Sequence, residues 1–103
     1  MTDKELLELA AKAAGWKHTK EDLGNFCVAD THLGFWQPWN PLTDDGDALR
    51  LAVKLRILID IGEFSVVATN MKGADVSVRI ENDPYAATRR AIVRASAEIG
   101  KEM

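Results

Sequence analysis

The sequence predicts an α+β domain, a layered α/β/α sandwich with about three helices and a small, mostly antiparallel sheet. Apolar residues recur at helical spacing in three separated stretches, near residues 3–14, 44–55 and 84–99. Between the last two lie runs with the two-residue period of half-buried strands, Ile57-Ile59-Ile61 and Val76-Val78-Ile80. The turn-forming stretch Asn70–Asp75 joins strand to strand directly, so those strands are expected to be antiparallel.

Each element has its own local signature. Thr2-Asp3-Lys4-Glu5 has the form of a capping box, and Leu6, Leu9, Ala10 and Ala13 lie beyond it on one helical face. Gly15 is the expected stop, with Trp16 folding back on the last turn. Residues 16–42 are irregular and carry five of the seven aromatic residues. Phe26–Ala29 and Leu33–Trp36 are expected as two short strands there, and Pro38 and Pro41 hold the intervening Trp39-Asn40 extended and stiff. The second helix begins near Asp44, with Thr43 or Asp44 as its cap. Ala48, Leu51, Ala52 and Leu55 form its apolar stripe, which Leu49 and Val53 widen. Strands 57–61, 64–69 and 76–80 come next, with a bend at Gly62-Glu63 and a positive φ at Gly73. The last helix opens at Asp83-Pro84. Tyr85, Thr88, Ile92, Ala95 and Ile99 mark one face, and Gly100 is the expected cap.

Composition excludes several classes. With 103 residues, 47% hydrophobic and 28% charged, the chain reads as one complete domain, 1–103, and not as a disordered chain or fibre. A formal charge of −3 argues against wrapping duplex nucleic acid. No apolar run approaches the roughly 18 residues that span a bilayer, so no membrane partner is expected. The N-terminal residues lack the form of an export signal, and the single Cys27 excludes an intramolecular disulfide. A cytoplasmic setting is therefore expected.

The stretch from Trp39-Asn40-Pro41-Leu42 through Asp44-Asp45-Gly46-Asp47-Ala48 to Arg50-Leu51-Ala52 resembles a signature of small phage and prophage proteins. Ala87-Thr88-Arg89-Arg90-Ala91-Ile92-Val93-Arg94-Ala95 looks like their C-terminal helix. The family is the phage ABA sandwich domain, in which a β-sheet lies between helical layers. The resemblance implies that fold and a phage origin. The family has no assigned activity, so no catalytic residue is carried over.

Candidate site residues have competing readings. Asp44-Asp45-Gly46-Asp47 suggests a calcium loop, but the position six after Gly46 is Ala52, where the EF-hand needs Glu. Helix capping explains the same carboxylates, and Asp45 is kept as a ligand-contact candidate. Trp36 and Trp39, with Phe35 near them, are either a stacking platform or core wedges. Asn40 either braces the loop after Trp39 or lines a cleft. Arg90, Arg94 and Lys101 share a stripe with Arg89 alongside, and Glu98 is placed to pair with Arg94. They form either a solvated face or an anion-binding patch. Cys27 reads as a small buried apolar residue; as a nucleophile it would need His18 or His32. His18, Cys27, Asp30 and His32 have no zinc-site spacing, so no metal is expected, and no cofactor motif is present.

Three functions fit. The first is a non-enzymatic phage accessory protein that binds a host protein or itself as an oligomer. The second is a binder of a nucleotide-like anion, held between Trp36, Trp39, Asn40, Asp45 and the arginines 89, 90 and 94, acting as a sink for a host signalling nucleotide. The third is an enzyme of unknown class using Asp30, His32 or Asp45 as acid or base.

Overall fold

The computed structural model describes residues 1–31 and 34–103 and has the α+β sandwich the sequence predicts. The order is α1 (Asp3–Ala14), β1 (His18–Asp22), β2 (Asn25–Ala29), β3 (Gln37–Pro38), α2 (Asp45–Leu55), β4 (Leu58–Ile61), β5 (Ser65–Thr69), β6 (Asp75–Arg79) and α3 (Pro84–Lys101). The strands form two antiparallel sheets, β1-β2-β3 and β4-β5-β6. No helix among the described residues is long and apolar enough to cross a membrane.

The helix ends follow from local chemistry. The Thr2 hydroxyl accepts from the Glu5 amide, and the Thr2 amide and hydroxyl both donate to the Glu5 carboxylate. Those two bonds hold Glu5 below the usual carboxylate range. Gly15 closes α1 at φ 93°, the left-handed conformation that lets its amide reach back to Ala11 and Lys12. Asp44 caps α2 by accepting from the Asp47 amide, and Asp83 caps α3 by accepting from the Tyr85 amide, with Pro84 at the first turn.

Helix α3 is the hub. It packs against α1, α2, β5 and β6. Its buried residues run most of the way round: Ala87, Ala91 and Ala95 on one side, Val93, Ala97 and Gly100 on the other. The first side lies under the β4-β5-β6 sheet, where the Asn70 side chain donates to the Ala95 carbonyl at 3.0 Å. The other side meets α1 backbone to backbone at Gly100 and Leu9. Gly100 is therefore not the cap expected of it. The helix continues to Lys101 with Glu102 at the cap position, and the missing side chain serves the helix contact instead.

Two strand expectations change. Strand β1, His18-Thr19-Lys20-Glu21-Asp22, is almost wholly exposed and shows no apolar alternation. A two-residue turn imposes its pairing: Leu23 at φ 52° and Gly24 at φ 83° supply the two positive angles of a tight hairpin onto β2. The strand expected over residues 33–36 is not formed where it is described. The Gly34 amide bonds back to the Thr31 carbonyl, and pairing with β2 begins only at Gln37. Leu33 lies outside the described residues. Pro38 fits because β3 is an edge strand, where a missing N–H leaves no ladder bond broken.

Candidate functional site

The Trp39–Asp47 segment is tied together internally. The Asn40 amide donates to Asp47 Oδ2 at 2.9 Å, and Asn40 Oδ1 accepts from the Leu42 amide at 3.0 Å. The Asn40 carbonyl accepts from the Thr43 and Asp44 amides. Trp39 is 7% exposed, with its ring centroid 6.1 Å from that of Phe26. Asn40 thus turns the chain from sheet to helix while Trp39 fills the space beneath.

The arginines of α3 have three different situations. Arg89 is only 16% exposed; its Nε donates to the Leu42 carbonyl at 2.9 Å and its Nη1 to Asp45 Oδ1 at 2.6 Å. It therefore joins the start of α2 to α3. Asp45 is mostly exposed, so the ion pair is screened and the carbonyl contact is the stronger part. Arg89→Ala is expected to lower stability by about 1 kcal/mol and Asp45→Ala by less than about 0.5 kcal/mol, which urea denaturation of the two variants measures. Arg90 meets Asp3 at 3.1 Å in an exposed pair. Arg94 is exposed and does not pair with Glu98 as expected; Glu98 accepts from Lys101 at 3.0 Å instead.

Aromatic and arginine candidates do not converge. Trp36 is half-buried with the Lys20 ammonium 4.5 Å from its ring centroid, and Phe35 is almost fully exposed. Arg90 and Arg94 instead line a groove of about 450 Å³ between β6 and α3, with Ser77, Arg79 and Asn82 and, among the described residues, no aromatic side chain. Arg79 had a sequence signal, since it alternates with Val76, Val78 and Ile80. Its neighbourhood with α3 had none.

A second groove, of about 420 Å³, runs between the start of α2, strand β4 and the first turns of α3. Leu49, Ile59, Ile61, Tyr85 and Ile92 line it, with the paired Asp45 and Arg89 at its rim. Leu49 is 62% exposed, Val53 69%, Ile61 60% and Tyr85 69%. All four fall on faces that the sequence assigns to a core. The helical stripe and the strand alternation are real, but no described residue covers their outer part.

Cys27 is buried in β2, opposite Lys20 across the ladder, while His18 pairs with Ala29. Asp30 is exposed, and His32 lies outside the described residues. Among the described residues no group of three or more His, Cys, Asp or Glu side chains is placed to hold a metal ion.

No family model matches the chain, and no curated protein matches it.

Proposed function

We propose that this chain is a phage or prophage accessory protein of the host cytoplasm that works without catalysis, by docking a protein partner in the groove between α2, β4 and α3. One observation carries the reading: Leu49, Ile61 and Tyr85 surround an apolar groove that borders a free strand edge. The Trp39–Ala52 motif supports the phage origin.

The free edge has a definite polarity. The Gly62 amide donates to the Ser65 carbonyl at 2.9 Å, continuing the β4–β5 register. Antiparallel bonds alternate, so residues 58, 60 and 62 bond to β5, while Ile59 and Ile61 turn their N–H and C=O groups outward. An extended segment added there would gain backbone bonds and set alternate side chains in the groove. Asp60 selects the partner. Two copies pairing antiparallel through β4 set Asp60 against Asp60, Leu58 or Gly62, none of which neutralises it; a foreign strand with a basic residue there does. The occupant is thus an extended segment of another protein, apolar at alternate positions with a lysine or arginine between.

A short peptide alternating valine and lysine is the probe. It is expected to slow amide hydrogen exchange at Ile59 and Ile61, and Ile61→Glu is expected to abolish the effect while leaving the melting temperature within a few degrees. Unchanged exchange at saturating peptide overturns the reading. So does a homodimer in sedimentation that Ile61→Glu dissociates, because it makes the occupant a second copy.

A further inference from the structure

We propose that the groove between β6 and α3 is a binding site for a small phosphate-bearing anion, held by Arg79, Arg90 and Arg94. Three arginines line one groove of about 450 Å³ in a chain whose net charge is −3. Their gathering runs against the overall balance. Arg90 and Arg94 are one helical turn apart on α3, and Arg79 approaches from the last position of β6.

The guanidinium groups are available. Arg79 and Arg94 are exposed, and neither lies within ion-pair distance of a described carboxylate, although Glu81 and Asp83 line the same groove. Asp83 is occupied by capping α3. Arg90 holds Asp3 in an exposed pair of the kind that contributes little, so it can turn to a bound anion. Three planar forks on the lining of one groove, from two elements, suit the several oxygens of a phosphate better than the two of a carboxylate. Ser77 and Asn82 add neutral hydrogen-bonding groups.

The lining also limits what the groove can read. Among the described residues no aromatic side chain is part of it, so none of them stacks on a base there. Recognition falls on the phosphates, and a nucleotide and an inorganic polyphosphate are equivalent ligands. This separates the site from a nucleotide pocket at Trp36 or Trp39, and from the apolar groove across α3.

Isothermal titration at low salt with inorganic pyrophosphate, ADP, adenosine and acetate tests the proposal. Pyrophosphate and ADP are expected to bind within about threefold of one another, and adenosine and acetate not at all. Arg79→Ala and Arg94→Ala are each expected to weaken pyrophosphate binding by about tenfold or more, as removal of one charge-assisted contact does. Arg94→Lys recovers little of the loss, because an ammonium cannot make the forked contact. Both positions are exposed, and an unchanged circular-dichroism melting curve verifies each variant's fold. The proposal is overturned if pyrophosphate gives no binding heat, if acetate matches it, if ADP binds and pyrophosphate does not, or if the arginine variants bind as tightly as the parent.

Discussion

Gly100→Ala is expected to lower the melting temperature by roughly 10–20 °C, the equivalent of about 2–3 kcal/mol in a domain of this size. A Cβ at Gly100 would overlap the carbonyl oxygen of Leu9 and lie 2.8 Å from its carbonyl carbon. The obstacle is backbone in the middle of α1, so no side-chain rotation relieves it; α1 and α3 must separate. Alanine's better helix propensity returns about 1 kcal/mol, and overpacking outweighs it. Separation also loosens Val93 and Ala97, which share that side of α3. Gly73→Ala is the control. Gly73 sits in open space at φ 88°, so its replacement carries only backbone strain, on the order of 1 kcal/mol. Thermal unfolding by circular dichroism compares the two. A Gly100→Ala protein melting within about 3 °C of the parent refutes the close contact.

Asn70→Ala is expected to cost about 2–4 kcal/mol, because one side chain satisfies groups on two elements. Asn70 is buried. Its Oδ1 accepts from the Lys72 and Ala74 amides at 2.9 and 3.2 Å, shaping the β5–β6 turn, and its Nδ2 donates to the Ala95 carbonyl in α3. Alanine removes all three bonds, taking the acceptor from two part-buried turn amides and the cross-element donor from the Ala95 carbonyl. Asn70→Asp separates the two roles: it keeps an acceptor for the turn amides and loses the donor to α3. Urea denaturation gives the stability change, and hydrogen exchange at Lys72 and Ala74 shows which half failed. Faster exchange at both amides in Asn70→Ala but not in Asn70→Asp is expected. A loss below about 1 kcal/mol in Asn70→Ala means that the turn holds without its side chain.

Much of the fold is legible in the sequence because it depends on neighbours in the chain. The Thr2–Glu5 box, the Gly15 stop, the Asp44 and Asp83 caps and the β5–β6 hairpin each need only a few consecutive residues. Strand β1 escapes because its five residues, His18 to Asp22, have no apolar alternation and are held by the turn at Leu23-Gly24. Residues 34–36 mislead in the opposite sense, since aromatic residues suit a strand and Gly34 bends the chain first.

The candidate sites divide in the same way. Arg90 and Arg94 stand out in the sequence as a helical pair, but Arg79 joins them only because β6 folds onto α3. Leu49, Val53, Ile61 and Tyr85 read as core because periodicity reports which side of an element is apolar and is silent on what covers it. Gly100 reads as a helix cap for a similar reason: a glycine's local freedom shows in the sequence, and the helix that approaches it does not.

Local chemistry in the chain, then, sets where three helices begin, where the first of them stops and which strands alternate. Those outcomes rest on bonds spanning a few residues. Packing sets which apolar faces stay uncovered, which arginines meet in one groove and why a glycine stands at position 100. Those depend on distances between segments far apart in the chain, and they arise only when α3 gathers α1, α2 and the β4-β5-β6 sheet around itself.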